Sequence, residues 1–219
     1  MPLRSSLALL LTLLLAAPGP AAAQFSDLPI QWGATLGFNL ASLQSDEVDV
    51  STRTAFSGGL VAQVALPGPV SVQPELLFTQ KGGAVATREG SGEVRYGANY
   101  IELPVAVRIE GPQIRMVQPH LLGGGFGGIK LFERQTAGGG EIRFPIDTET
   151  SFFQRTNAGV LVGLGATLSV GEGRLGLEVR YARGLVDVGQ DLDAQDFPLA
   201  PFPRDARTET WLFLVRFGL

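Results

Sequence analysis

Residues 174–181 read Arg-Leu-Gly-Leu-Glu-Val-Arg-Tyr, with an apolar side chain at every second position. This alternation is typical of a β-strand, because successive side chains point to opposite faces of a sheet. Residues 32–40 and 210–217 show the same pattern of two. Together the three stretches predict a sheet with one apolar face and one face rich in glycine and polar residues.

Seven turn or loop signals divide the rest of the chain into strands of similar length. The predicted strands cover residues 31–41, 54–66, 70–80, 96–110, 117–130, 154–170, 174–186 and 208–219. Tight Gly- and Pro-containing turns are predicted at 66–69, 111–113 and 171–173. Long polar loops are predicted at 43–53, 81–95, 131–153 and 187–207. Alternating short turns and long loops predict an all-β fold: an eight-stranded antiparallel up-and-down transmembrane β-barrel.

The alternative to a membrane barrel is a soluble lipocalin-like barrel or a sandwich, in which the apolar face points inward. Several strands are long enough for the roughly 9–11 residues of a tilted membrane strand. The polar face also holds few lysines, since the chain has only Lys81 and Lys130. Aromatic residues near strand ends are expected to form the girdles at the two membrane interfaces. They are Trp32, Tyr181, Trp211 and Phe217.

The first 23 residues have the pattern of a cleaved signal peptide. Arg4 precedes an almost unbroken apolar run over 7–17, and Ala21 and Ala23 provide small residues before a cleavage site at Gln24. An anchor helix is the alternative, but Pro18 and Pro20 end the run short of the roughly 20 residues that a span needs. We therefore expect a signal peptide at 1–23 and a barrel domain at 24–219, exported to the outer membrane of a Gram-negative cell.

Composition excludes several classes of function. The chain has no cysteine, which rules out disulfides and thiolate zinc or iron–sulfur sites. Its net charge is −4 and no basic cluster appears, which argues against nucleic acid as a partner. We expect no cofactor and no metal. An acidic group in the last loop (Asp187, Asp191, Asp193 and Asp196) is interpreted as solvated rather than as a calcium site.

Six charged residues fall on the inward face when the alternation is followed through the strands. They are Glu75, Glu102, Arg108, Glu178, Arg180 and Arg216. Buried charges must be paired, and an eight-stranded barrel has an interior that side chains just fill. The hypothesis is an internal network of salt bridges that plugs the lumen. Acid–base catalysis by Glu75 and Glu102 is the functional alternative.

His120 is the only histidine, so any histidine-dependent lipid hydrolase or acyltransferase mechanism would need it. No Gly-x-Ser-x-Gly motif accompanies it, and we interpret His120 as an interface or lumen residue. The glycine run at 123–128 contains Gly-x-Gly-x-x-Gly, but no helix pattern follows it. These glycines are expected to allow curvature and to leave room for long inward side chains.

Four segments resemble the outer-membrane β-barrel family that includes the PorT-like proteins of Bacteroidetes and relatives. They are Gly33-x-x-x-Gly37-x-Asn39, residues 74–82 (PELLFTQKG), residues 100–104 (YIELP), and Arg180-Tyr181 with residues 184–187 (GLVD). The resemblance implies an eight-stranded outer-membrane barrel and implies little about activity.

The sequence thus favours a structural or interaction protein with a plugged lumen and four external loops. Expected partners are outer-membrane lipids, the barrel-assembly machinery and another envelope protein that meets the loops. A lipid- or lipopolysaccharide-modifying enzyme and a lipocalin-like ligand-binding barrel are the alternatives.

Overall fold

The computed structural model describes residues 29–44, 51–86, 93–137, 140–144, 154–171, 173–187 and 207–218. The predicted signal peptide and its cleavage site lie outside these residues. Within them the chain forms nine strands: β1 Ile30–Gln44, β2 Arg53–Ala65, β3 Val70–Ala86, β4 Glu93–Glu110, β5 Val117–Ala137, β6 Gly140–Phe144, β7 Thr156–Val170, β8 Gly173–Gly184 and β9 Arg207–Gly218. None of the described residues forms a helix long and apolar enough to cross a membrane.

Eight of these strands form a closed antiparallel ring. The order is β4, β3, β2, β1, β9, β8, β7 and β5, and pairing of β4 with β5 closes the ring. Each strand lies beside its neighbours in sequence, as in an up-and-down barrel, and β1 meets β9 to join the two ends of the chain. The predicted eight-stranded barrel is therefore confirmed.

Strand β6 is a short addition that the sequence did not predict. Among the described residues it pairs only with the end of β5, over Glu133–Ala137, beyond the point where β7 stops pairing with β5. Strands β3, β4 and β5 also extend into the regions 81–95 and 131–153, which were predicted as long loops. The loop prediction was wrong there because these residues are polar and lack the alternation by which strands were recognised. The backbone hydrogen bonds between strands form equally well whatever the side chains are.

The tight turns gather at one end of the barrel, called here the short-turn end. Gly68 in the β2–β3 turn and Gly171 in the β7–β8 turn have positive φ angles of 82° and 62°, which glycine adopts without steric cost. Strand β1 begins and β9 ends at this same end. The opposite end is called the long-connection end; in outer-membrane barrels the short turns face the periplasm and the long loops face outward.

The outer surface of the barrel is apolar. On β4 the outward residues Leu103, Val105, Val107 and Ile109 are between 45% and 55% exposed. Their inward neighbours Glu102, Ala106 and Arg108 are buried. Such a continuous apolar surface is unfavourable in water, whereas a lipid bilayer covers it. This arrangement places the polar face inside, as the membrane reading expected.

Candidate functional site in the lumen

The centre of the lumen is crossed by an ion pair between opposite walls. Arg180 on β8 donates to both carboxylate oxygens of Glu75 on β3, with Nη1–Oε2 and Nη2–Oε1 distances of 2.8 and 2.6 Å. Such a two-pronged contact is the strongest geometry that an arginine forms with a carboxylate. Gln73 adds a hydrogen bond of 2.5 Å from its Nε2 to Oε1 of Glu75.

Glu178 is the second carboxylate of this group, and three arginines approach it. Arg180 donates to its Oε2 from Nε at 2.9 Å and also from Nη2. Nη2 of Arg216 lies 2.5 Å from its Oε1, and Nη1 of Arg108 lies 3.5 Å from the same atom. We call Glu75, Arg108, Glu178, Arg180 and Arg216 the lumen charge cluster.

All members of the lumen charge cluster are at most 8% exposed. Removing a charge from water costs several kcal/mol, and only close partners and hydrogen bonds offset that cost. Within the cluster each carboxylate meets at least two guanidinium groups, so neither is left unpaired. The cluster therefore fills this part of the lumen with mutually dependent charges, and removing one charge leaves its partners with the full cost of desolvation.

Two glycines of β7 make room for this cluster and for His120 beside it. A Cβ atom on Gly163 would lie 2.8 Å from Cγ of Arg180. A Cβ atom on Gly165 would lie 2.6 Å from Nε2 of His120. Both distances are shorter than real Cβ contacts allow. The small residues on this wall are thus matched to the long side chains that face them.

Glu102, the sixth residue predicted for the network, is paired elsewhere. Its Oε1 lies 2.6 Å from Nζ of Lys81, toward the long-connection end. A further buried pair, Lys130 with Glu133, lies toward the same end on β5. Nζ of Lys81 also lies 4.2 Å from the ring centroid of Phe126, within range of a cation–π contact.

An apolar layer separates the two charged regions. Along β4 the inward residues run Arg108, Ala106, Pro104 and Glu102, and Ala106 belongs to a buried apolar group. The other members of this group are Leu122, Phe126, Leu161, Ala182, Leu212 and Leu214. A cavity of about 20 Å³ adjoins this layer, which is room for one water molecule. The six residues expected to form one network that plugs the lumen are therefore divided between two charged regions.

Sequence reasoning missed Lys81, Lys130 and Glu133. Lys81 keeps the inward alternation of β3 and could have been found by extending it from Glu75 through Leu77 and Thr79. Glu133 could not, because β5 contains a bulge. Tyr100 pairs with Lys130 and Asn99 with Phe132, so one extra residue shifts the alternation. Lys130 and Glu133, three residues apart, therefore both point inward.

His120 lies inside the barrel near the short-turn end. Its side chain is fully buried, and Nε2 lies 3.2 Å from Oε1 of Glu178. This contact makes His120 a neighbour of the lumen charge cluster. The glycine run at 123–128 lies entirely within β5, and a Cβ atom on Gly128 would lie 2.7 Å from Cγ of Glu102.

The four aromatic residues proposed for the membrane interface lie on the outer surface. Trp32 and Phe217 are near the short-turn end and are 63% and 51% exposed. Tyr181 and Trp211 pair across β8 and β9 toward the long-connection end, with ring centroids 5.1 Å apart. Two aromatic residues thus lie toward each end of the apolar wall.

The acidic group of the last loop is described only in part. Asp187 accepts a hydrogen bond of 2.9 Å from Nε of Arg207. Asp191, Asp193 and Asp196 lie outside the described residues. Within the described ranges no group of three potential metal ligands is found.

Solved barrels of the outer membrane resemble this fold. The outer membrane protein OprG of Pseudomonas aeruginosa has a TM-score of 0.50 and 13% identity, covering 86% of this chain and 92% of its own. Neisserial surface protein A has a TM-score of 0.47 and 14% identity, and the match covers 84% of this chain and 95% of that protein. The attachment invasion locus protein Ail of Yersinia pestis has a TM-score of 0.41 and 11% identity, and the match covers 86% of this chain and 98% of that protein. At these identities the likeness to OprG supports the fold alone.

No protein of curated function matches the chain significantly. The family described as "Outer membrane protein beta-barrel domain" matches residues 22–190, which is most of the chain. The closed ring, the apolar outer wall and this match agree on the compartment. The chain belongs to the outer membrane protein β-barrel domain family, as a small eight-stranded barrel of the Gram-negative outer membrane.

Proposed function

We propose that this protein is a structural or interaction component of the outer membrane whose lumen is closed by its own side chains. The observation that carries this proposal is the Arg180–Glu75 pair, which joins β8 and β3 across the barrel. Eight-stranded barrels have interiors that side chains can fill, whereas open aqueous channels need about 16 strands. What the barrel offers to other molecules is then its outer wall and the four connections at the long-connection end.

The proposed partners follow from these two surfaces. Outer-membrane lipids cover the apolar wall, and the barrel-assembly machinery inserts it. Another envelope protein is the proposed partner of the external connections. The motifs at 74–82 and 100–104 support a finer proposal, that the chain belongs to the PorT-like group within its family. Cleavage before Gln24 remains part of the proposal, and N-terminal sequencing of the protein from outer membranes tests it.

We propose that the protein is not a lipid-modifying enzyme. A histidine that acts on lipid must be reached by an acyl chain or a headgroup, and the side chain of His120 is fully buried. Its Nε2 is occupied by Glu178, a member of the lumen charge cluster. A ligand-binding barrel is disfavoured in the same way, because the cavity beside Phe126 holds about one water molecule.

Conductance in planar bilayers tests the closed lumen. The refolded protein is expected to give no stable channel, while a 16-stranded porin prepared in the same way supplies the positive control. Steady openings of a uniform size in the absence of substitutions would contradict the proposal.

A further inference from the structure

We propose that the short-turn mouth of the barrel binds an oxyanion, supplied as free phosphate or as the phosphate of a lipid headgroup. A recess opens there between the ends of β1, β2, β4, β7, β8 and β9. Three arginines line it: Arg108, Arg174 and Arg216. Thr167 and the side chains of Gln31 and Gln63 complete its polar lining.

Two buried guanidinium groups that line this recess have donors without acceptors. Among the described residues, Nε of Arg108 and Nε of Arg216 donate no hydrogen bond. Arg108 is 2% exposed and Arg216 is 8% exposed, so bulk water does not replace the missing acceptor. Nε of Arg108 has Oε1 of Glu110 at 3.4 Å, too poorly aligned for a hydrogen bond. Buried donors without acceptors are costly, and a negative charge drawn into the recess beside these two side chains would offset part of that cost.

The charge around the recess also favours an anion. Four guanidinium groups, those of Arg108, Arg174, Arg180 and Arg216, face three carboxylates, those of Glu75, Glu110 and Glu178. Among the described residues, four positive charges against three negative ones leave an excess of one. Arg180 is held between Glu75 and Glu178. The excess is therefore carried by the arginines that line the mouth.

The size of the recess limits how much of the anion enters. Its volume is about 20 Å³, and it opens to solvent. One or two oxygen atoms would fit inside, while the rest of the molecule stays outside, as for a terminal phosphate. Trp32 borders the same recess and is exposed on the outer wall, so the headgroups of the adjoining lipid leaflet lie at this level.

The test uses the full barrel in non-ionic detergent, with thermal unfolding followed by the gel shift between folded and unfolded protein. Sodium phosphate is titrated against sodium chloride at equal ionic strength. We expect a saturable rise in the unfolding temperature with phosphate only. Arg174→Gln, which alters an exposed side chain of the mouth, is expected to weaken the apparent affinity about tenfold. Arg115→Gln removes a charge from a turn at the same end but outside the recess, and should leave the affinity unchanged.

A second titration separates the two sources of phosphate. Lysophosphatidic acid is titrated in mixed micelles. If it saturates the effect at a much lower concentration than inorganic phosphate does, the site is assigned to lipid headgroups. If lysophosphatidic acid needs the same concentration as inorganic phosphate or a higher one, the site is assigned to the free anion. The proposal is overturned if neither compound gives a saturable effect, or if R174Q and R115Q behave alike.

Discussion

Arg180 and Glu75 bind each other from strands that lie diametrically opposite in the ring. Between β8 and β3 lie β9, β1 and β2 on one side, and β7, β5 and β4 on the other. The pair therefore connects two walls that share no backbone hydrogen bonds. Because its two hydrogen bonds are 2.6 and 2.8 Å long, the width of the barrel and the length of the two side chains are matched.

This match depends on the small residue at Gly163. We predict that Gly163→Ala destabilises the barrel by about 1–3 kcal/mol, the usual cost of overpacking a filled interior. The added Cβ would lie 2.8 Å from Cγ of Arg180 and 2.8 Å from the backbone oxygen of Val179. Urea unfolding of the refolded barrel measures the change. Gly127→Ala is the matched control, since a Cβ there has nothing within 4 Å. Equal stability of the two variants would contradict the packing described.

The two tryptophans should report the two membrane interfaces. We predict that single-tryptophan proteins made by Trp211→Phe or Trp32→Phe are quenched most by lipids brominated near the headgroup. Trp32 lies near the short-turn end and Trp211 near the long-connection end, and both are at least half exposed on the outer wall. Depth-dependent quenching in vesicles is the measurement. If bromines at the bilayer centre quenched the tryptophans most strongly, the interfacial position of these residues would be contradicted.

Removing His120 should affect the fold and not the lipids. We predict that His120→Ala lowers stability by about 1–3 kcal/mol, because Glu178 loses a buried partner at 3.2 Å. Mass spectrometry of lipid A and phospholipids should give the same profile for cells without the protein, with it and with the variant. A modification that appears with the natural protein and disappears with a folded H120A variant would instead support the enzyme.

The sequence predicted the barrel well because alternation and turns are local properties. The strand at 174–181 shows its two faces without any partner, and Gly68 and Gly171 mark turns whatever lies around them. The extra strand β6 depends on β5 continuing past Ile129, where β7 stops pairing with it. Its five residues carry no signal strong enough to separate a strand from a polar loop.

The inward position of the charged residues could be predicted, but their partners could not. Period two selects Glu75, Glu102 and Arg180 equally. Which of them meet depends on the number of strands, their tilt and their register across the barrel, and none of these can be calculated from one strand. Glu102 consequently pairs with Lys81 of the neighbouring β3, while Glu75 pairs with Arg180 of the opposite wall.

The most direct test of a lumen closed by charge is a double-mutant cycle on Glu75 and Arg180. Each single alanine variant should cost about 3–5 kcal/mol, because it leaves a buried charge without its partner. The double variant should cost less than the sum, with a coupling of about 1.5 kcal/mol or more. The control cycle uses Arg183 and Glu209, a partly exposed pair 3.9 Å apart that should couple by less than about 1 kcal/mol.

Urea unfolding of the four proteins in each cycle, in identical lipid vesicles, gives both coupling energies. The account predicts a clearly larger value for the pair that crosses the lumen than for the pair on the outer surface. Single variants as stable as the natural protein, with a coupling between Glu75 and Arg180 no larger than that of the control pair, would contradict it.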